Sequence, residues 1–213
     1  MQKKSGKFIS IEGGEGVGKS LFIQNLSNYL ESQSIESIST YEPGGTPIAD
    51  RVRQLFKNPP EGDKISPIAE LFLVSAARAH HVLRRIKPAL AENIWVLSDR
   101  FHDSTRVYQG YIGGMDDAKV ELLIKESVEG CEPDITFLLN CDVDLALSRI
   151  NKRGAEADRF DDQDKSFHLK LQEGYLQLAQ RFPERFVVLD AAQSPDNVLK
   201  EAIQHIQNRG MLT

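Results

Sequence analysis

Residues 13–20 follow the pattern G-x-x-x-x-G-K-[ST], which is typical of loops that hold phosphate groups. An apolar, β-branched run at residues 8–11 precedes the pattern and predicts a strand, and a helical pattern at residues 21–26 follows it. In that setting the glycines let backbone N–H groups point at phosphate oxygens, and the helix N-terminus adds its positive dipole end. The sequence therefore predicts a nucleoside triphosphate site, in which Lys19 reaches the β- and γ-phosphates and Ser20 holds Mg²⁺.

The overall composition excludes several classes of protein. The chain has 213 residues, 40% of them hydrophobic and 27% charged, which fits one α/β domain rather than two. Its net charge of −5 argues against a general nucleic-acid binder. Two cysteines are too few for a four-cysteine zinc site or a disulfide framework, and no apolar run is long enough to span a membrane. We expect a cytoplasmic protein without nucleic-acid or membrane partners.

Apolar strand patterns alternate with helical patterns along the whole chain. This alternation predicts an α/β fold: a five-stranded parallel sheet with helices on both faces, in a single domain over residues 1–213 with a short lid at about residues 150–164. Ligands of such sheets bind beyond the carboxyl ends of the strands. The predicted strands lie at residues 8–11, 37–41, 94–99, 134–139 and 186–189. The predicted helices lie at residues 21–26, 48–56, 66–91, 116–129 and 143–153, in the segment between residues 164 and 186, and from 195 onward.

Four classes of triphosphate-binding protein compete for this loop, and the small kinases fit best. The chain lacks the N-K-x-D motif of GTP-dependent switches and the L-S-G-G motif of transport ATPases, and DNA-handling ATPases are usually larger and more basic. Phosphoryl transfer between phosphates needs several positive groups near the donor and the acceptor. Candidate cations are Arg51, Arg53, Arg78, Arg100, Arg149, Lys152, Arg153 and Arg159, of which Arg78 and Arg100 have the most buried sequence settings.

Several motifs resemble those of the thymidylate kinase family over nearly the whole chain. The most discriminating is D-R-F-H-D-S-T-R-V-Y-Q-G at residues 99–110, since the phosphate loop alone would suit any relative. The resemblance implies a P-loop kinase fold, ATP and Mg²⁺ as cofactors, and conversion of dTMP to dTDP on the path to dTTP. The other motifs are I-E-G-G-E-G-V-G-K-S at residues 11–20, E-P-G-G-T at 42–46, A-A-R at 76–78, P-D-I-T-F-L-L at 133–139 and D-R-F at 158–160.

The resemblance also implies roles for individual residues. Glu15 accepts a hydrogen bond from the deoxyribose 3′-OH, and Arg53 and Arg100 clamp the dTMP phosphate. Tyr108 lies beneath the sugar and disfavours a 2′-OH, and Asp99 holds Mg²⁺ through water. The implied dTMP site comprises Glu15, Glu42, a cis Pro43, Arg53, Val74, Arg78, Arg100, Thr105, Tyr108 and Gln109, with Arg78, Thr105 and Gln109 at the thymine edge. The implied ATP site comprises Gly13, Gly14, Glu15, Gly16, Val17, Gly18, Lys19, Ser20, Arg149 and Gln193.

The source of the catalytic positive charge divides the family into two types. One type has an arginine inside the phosphate loop, whereas this chain has Gly16 there and resembles the bacterial type, in which the lid supplies the charge. Arg153 is the implied bridge to the transferring phosphoryl group. The implied catalytic set is Lys19, Arg100, Arg153 and Glu15.

Two positions depart from the family's pattern and leave alternatives open. Val74 stands where the family usually has a phenylalanine that stacks on thymine, and Phe72 would point about 160° away from that place on a helix. Val107 replaces the usual alanine before Tyr108. Both departures concern base selectivity, so a kinase of another nucleoside monophosphate remains an alternative. A non-catalytic ATP-binding regulator on the same scaffold is a separate alternative. The family also implies a homodimer, and no metal site is expected at His80, His81 and His102.

Overall fold

The computed structural model describes residues 6–60, 62, 64–153 and 163–212, with Arg153 described by its backbone alone. Within these residues five parallel strands form one sheet in the order β2-β3-β1-β4-β5. The register pairs Ile11 of the first strand with Asp99 and Glu12 with Leu138, so the carboxyl ends of three central strands lie within a few residues of one another at the same edge. The strands are β1 Phe8–Glu12, β2 Ser37–Tyr41, β3 Trp95–Asp99, β4 Ile135–Asn140 and β5 Phe186–Asp190.

Helices cover both faces of this sheet. The α-helices are α1 Lys19–Ser32, α2 Pro47–Lys57, α3 Pro67–His81, α4 Lys87–Ala91, α5 His102–Thr105, α6 Asp117–Val128, α7 Val143–Arg153, α8 Lys165–Arg181 and α9 Pro195–Asn208. Ile9 of β1 packs with α1 and α9 in one buried cluster, whereas its neighbour Phe8 packs with α3 and α6 in another. Successive strand residues face opposite sides of a sheet, which explains this division. Leu138 of β4 contacts α8. The predicted α/β fold is confirmed.

The helix predicted at residues 66–91 starts as expected but changes its winding. The Ser66 hydroxyl caps α3 by accepting from the Ala69 amide, and Pro67 occupies the first turn. The backbone is π-helical over Val82–Ile86, and α4 then continues past Pro88. A proline in a helix leaves the carbonyl four residues earlier without its N–H partner, and the wider turn ahead of Pro88 accommodates this mismatch. Pro88 therefore does not end the helix.

The segment after β3 was not predicted to be helical from the sequence, yet it forms α5 and then a π-helical segment, Arg106–Ile112. Polar side chains of this segment line the site described below, so its sequence shows no apolar helical periodicity. The Glu42–Pro43 peptide bond is cis, as the resemblance implied. The centre of the predicted lid, residues 154–162, lies outside the described residues. In the part of the chain that the structure describes, no helix is long and apolar enough to cross a membrane.

Candidate active site

A cavity of about 360 Å³ opens at the carboxyl edge of the sheet. The phosphate loop, the ends of β2 and β3, helices α2 and α3, and the segment after β3 all contribute to its wall. This is the place that the parallel sheet predicts for a ligand. The predicted site residues that line it are Glu15, Gly16, Lys19, Ser20, Glu42, Pro43, Arg53, Val74, Arg78, Asp99, Arg100, Thr105, Tyr108 and Gln109.

Gly13, Gly16 and Gly18 of the phosphate loop have positive φ angles of 136°, 75° and 99°. Such angles favour glycine, and a Cβ atom at Gly16 would also collide with the carbonyl of Ala146 on α7. The loop leads directly into the first turn of α1, with Gly18 at its N-cap. The backbone geometry thus suits the predicted phosphate site, and a side chain at position 16 has no room.

Lys19 folds back over the loop, where its Nζ donates to the carbonyls of Gly13 at 3.1 Å and Gly14 at 2.7 Å. Burial, together with the nearby Arg100 guanidinium, lowers the pKa of Lys19 to about 8. A phosphate group placed in the loop would attract the same ammonium group electrostatically. Lys19 is therefore positioned for the predicted role at the donor phosphates.

Glu15, Arg100 and Tyr108 form one hydrogen-bonded group between the phosphate loop and the cavity. Arg100 donates from Nη2 to Glu15 Oε1 at 2.7 Å, and the Tyr108 hydroxyl donates to the same oxygen at 2.6 Å. Burial opposes ionisation of Glu15, but Arg100 and Lys19 outweigh it and hold the pKa of Glu15 below its usual range. An ionised Glu15 beside two donors is thus a fixed hydrogen-bond acceptor at the edge of the cavity.

Arg100 also contacts the loop and helix α8. Its Nη1 donates to the Gly13 carbonyl at 3.0 Å and to the Tyr175 hydroxyl at 2.8 Å. The residue has a φ angle of +69°, a left-handed conformation that turns its side chain back over the end of β1. The guanidinium is therefore held rigidly in the wall of the cavity.

Arg53 lies on α2 and lines the same cavity. Its Nη1 donates to the Pro43 carbonyl at 3.0 Å, and its guanidinium lies 4.9 Å from the centre of the Tyr41 ring. The structure thus brings Arg53 and Arg100 to one cavity, where planar guanidinium groups suit phosphate oxygens.

Arg78 extends from α3 into the inner end of the cavity and is only 3% exposed. Its Nε donates to Glu42 Oε2 at 2.8 Å and its Nη2 to the Thr105 hydroxyl at 2.8 Å. Its Nη1 is buried and has no hydrogen-bond partner among the residues that the structure describes. A buried unpaired guanidinium nitrogen is costly, so this nitrogen is suited to donate to a bound ligand.

Gln109 and Val74 complete the inner end. Gln109 is nearly buried, and its side-chain amide donates to Glu70 Oε2 at 3.3 Å. The amide NH₂ of Gln109 therefore faces Glu70. Val74 lines the cavity whereas Phe72 is 56% exposed, in agreement with their predicted directions on the helix. Glu42 lines the cavity too, but its described contacts are to Arg78 and His81.

Two oxygen groups suit a divalent cation. Asp99 ends β3 in the cavity wall, and its Oδ1 is buried with no hydrogen-bond partner in the described part of the chain. Ser20, in the first turn of α1, exposes its hydroxyl to the same cavity. Magnesium prefers oxygen ligands and keeps several waters, so a carboxylate and a hydroxyl beside the phosphate loop fit it.

Arg149 and Gln193 do not line this cavity. Arg149 lies on α7, and its Nη2 donates to the Ala191 carbonyl at 3.0 Å, so its guanidinium packs against the loop after β5. Gln193 is exposed on that loop and donates weakly to Glu201 at 3.5 Å. Both lie at the carboxyl edge of the sheet, separate from the cavity wall. The side chain of Arg153 and all of Arg159 lie outside the described residues.

Sequence reasoning missed residues that support the site from beneath. Glu12 is fully buried and accepts from the Phe101 amide at 2.7 Å and the Ser104 hydroxyl at 2.7 Å. The Tyr175 hydroxyl of α8 also donates to Glu12, at 3.1 Å. The signal was a glutamate at the end of an apolar strand. His81 was also missed, although it follows Arg78 by one helical turn and shares its buried face.

The fold and the site define a P-loop kinase that phosphorylates a small nucleotide. The chain belongs to the thymidylate kinase family, since residues 11–202 match the family model described as thymidylate kinase. It is similar to a thymidylate kinase of Chromohalobacter salexigens, 41% identical over 204 residues and 96% of each chain. It is also 43% identical over 195 residues to that of Hahella chejuensis, covering 92% of this chain and 93% of the relative. The crystal structure of thymidylate kinase from Ehrlichia chaffeensis matches with a TM-score of 0.75 at 29% identity, covering 95% of this chain and 99% of that one.

Proposed function

We propose that the protein transfers the γ-phosphoryl group of ATP to dTMP, giving dTDP and ADP on the path to dTTP. The observation that carries the proposal is the cavity next to the phosphate loop, which is lined by the guanidinium groups of Arg53, Arg78 and Arg100, and in which Nη1 of Arg78 has no hydrogen-bond partner within the described ranges. Membership of the thymidylate kinase family supports the same reaction.

The reaction is a direct in-line displacement. A phosphate oxygen of dTMP attacks the γ-phosphorus while the bond to the β,γ-bridging oxygen breaks, and ADP carries away that electron pair. The acceptor is already an anion, so no strong base is required. The protein's contribution is to align two anions and to offset their repulsion, with Lys19 at the donor and Arg53 and Arg100 at the acceptor.

The remaining contacts account for recognition of the deoxyribose and the base. Glu15 is an ionised acceptor for the 3′-OH, and Tyr108, held by Glu15, lies beneath the sugar and leaves little space for a 2′-OH. Arg78 Nη1 donates to a carbonyl of thymine, and Thr105 and Gln109 complete that edge. Val74 lines this region without a ring to stack on the base, so selectivity there rests on hydrogen bonds.

Magnesium fits the residues present. Ser20 and Asp99, the latter through water, would hold it beside the donor phosphates, where the ion supplies neutralisation of phosphate charge. The orphaned Asp99 oxygen supports this assignment.

Arg153 remains our proposed source of the bridging positive charge. The crowding at Gly16 supports it, because no side chain fits at that loop position. Helix α7 contacts the loop through Ala146 and ends at Arg153, so it connects the loop to the proposed lid at about residues 150–164.

We further propose a single-domain cytoplasmic enzyme that works as a homodimer. The cytoplasm is where its nucleotide substrates are made and used. A row of exposed apolar side chains on α3 and the π-helical segment that follows, comprising Ile68, Phe72 and Leu83, supports the dimer.

A panel of acceptors tests the reaction. The protein is mixed with ATP and Mg²⁺ and with dTMP, dUMP, UMP, dCMP or dGMP, and ADP release is followed. We expect the highest kcat/KM for dTMP, a lower value for dUMP, and little turnover of the others. Faster turnover of a different monophosphate would replace the assignment, and binding of ATP without turnover of any acceptor would favour a regulator.

A further inference from the structure

Arg78 is oriented by a chain of buried groups that begins at Thr40, just before the loop over residues 42–46, which we call the acceptor loop. His81 Nδ1 lies 3.0 Å from Glu42 Oε1, and Glu42 Oε2 accepts from Arg78 Nε at 2.8 Å. At the other end, His81 Nε2 lies 2.7 Å from the Thr40 hydroxyl. The four side chains are between 0% and 5% exposed, so water does not compete for these bonds.

The acceptor loop is built around this histidine. A Cβ atom at Gly45 would lie 2.5 Å from His81 Nε2 and 2.5 Å from the Thr40 hydroxyl, so the loop backbone passes directly over the imidazole. The adjacent His80 contacts the Thr46 hydroxyl at 3.0 Å. The close approach of the loop therefore depends on the absence of a side chain at position 45.

The contacts of Glu42 determine which nitrogen of Arg78 stays available. A carboxylate with both oxygens engaged cannot rotate, so it keeps Arg78 Nε in one place. Thr105 occupies Nη2, which leaves Nη1 as the buried nitrogen that has no partner among the described side chains and backbone. Loss of the His81 contact would free Oε1 of Glu42 and let the carboxylate and guanidinium turn together.

We infer that His81 is a positioning residue for recognition of the nucleotide base, acting through Glu42 to aim Arg78 Nη1 at a carbonyl of a thymine-type base. The inference rests on the proposed function and adds a residue that does not itself touch the substrate. This role requires a proton on Nδ1 of His81, because Glu42 must accept a hydrogen bond from that nitrogen.

Two substitutions separate this role from simple packing. His81→Asn places its amide nitrogen near the position of Nδ1 and preserves donation to Glu42. His81→Gln reaches the position of Nε2 and preserves only the contact with Thr40. We expect His81→Gln to raise the KM for dTMP about tenfold, while kcat and the KM for ATP change less than twofold. The KM of His81→Asn for dTMP should stay within about threefold of the wild-type value.

A double substitution tests the route. Since His81 acts through Glu42, we expect His81→Gln to add less than a twofold change in KM for dTMP on a Glu42→Gln background. Equal losses in both His81 variants, a fall in kcat without the change in KM, or full additivity with Glu42→Gln would overturn the inference. The wild-type assay on dTMP is independent of these outcomes, so failure of the proposed function would be seen separately.

The wild-type protein offers a measurement that does not depend on variant folding. Long-range ¹H–¹⁵N spectra distinguish the two ring nitrogens of a histidine. We expect a protonated Nδ1 at His81, and a neutral ring protonated only at Nε2 would overturn the inference.

Discussion

Buried charges prepare the site at the scale of single residues. Glu12 has no exposed surface at the end of β1, and burial, with repulsion from Asp103, raises its pKa to about 7. It still fixes the site from beneath, because its oxygens hold the Phe101 amide and the hydroxyls of Ser104 and Tyr175. Sequence motifs located the surface of the cavity. A glutamate at the end of an apolar strand was the only sign of Glu12 in the sequence, and its supporting contacts became evident once β1, β3 and α8 were packed together.

The raised pKa of Glu12 predicts a pH-dependent stability. The unfolded chain loses this proton near its ordinary pKa of 4.5 and the folded protein near 7, so the folded state binds more protons between these values. Stability therefore falls as pH rises through that window. Between pH 5 and pH 8, the free energy of unfolding of the wild type, measured in urea, should fall by up to about 3 kcal/mol more than that of Glu12→Gln. A difference between the two proteins that is the same at both pH values would contradict this.

Lys19 predicts a pH dependence of ATP binding. Its pKa of about 8 means that the ammonium group loses its charge in mildly alkaline solution, which weakens attraction to phosphate. Calorimetric titration of ATP should show affinity falling with an apparent pKa near 8. Lys19→Arg, which keeps its charge throughout, is the matched control and should show a flat profile; parallel profiles for the two proteins would rule out this role.

At the scale of elements, helix caps and changes in helix type determine where the side chains of the site lie. The Thr46 hydroxyl caps α2 by accepting from the Ala49 amide at 3.2 Å, and α2 carries Arg53 to the cavity. Sequence patterns located α2 to within one residue at each end, since breaks rich in glycine and proline at residues 42–46 and 58–62 flank its helical pattern. They did not locate α5 and the π-helical segment after β3, because many residues there make polar contacts and the segment therefore has no apolar helical periodicity.

Removal of the α2 cap should have both a structural and a functional effect. We expect Thr46→Ala to lower the free energy of unfolding by about 1 kcal/mol. It should also raise the KM for dTMP severalfold, because α2 and the loop that holds Pro43 lose a shared anchor. Thr46→Ser retains the hydroxyl and should resemble the wild type in both assays. Wild-type behaviour of Thr46→Ala in urea unfolding would show that the cap is unimportant.

For the whole molecule, the parallel sheet brings distant motifs to a single edge. The order of strands and helices was predictable from alternating apolar patterns, and so was the edge where ligands bind. The pairings inside the cavity were not, since His81, Glu42 and Arg78 come together only through the crossing of α3 and the acceptor loop. Spacing in the sequence gives no measure of such contacts.

Assembly is also a property of the whole molecule. Phe72 is 56% exposed and central to the apolar row on α3, so Phe72→Glu should convert the proposed dimer to a monomer in sedimentation experiments. Leu169→Glu, which changes a similarly exposed leucine on α8, should leave the dimer intact. A wild-type protein that sediments as a monomer at micromolar concentration would refute the proposed assembly.

The central claim is transfer of a phosphoryl group between ATP and dTMP in one site. ³¹P NMR of a mixture with the protein and Mg²⁺ follows both substrates and all products directly. We predict equal amounts of ADP and dTDP without inorganic phosphate, and loss of both products with Arg100→Ala, which removes the guanidinium between the loop and the acceptor. Release of ADP with inorganic phosphate and no dTDP would contradict the account.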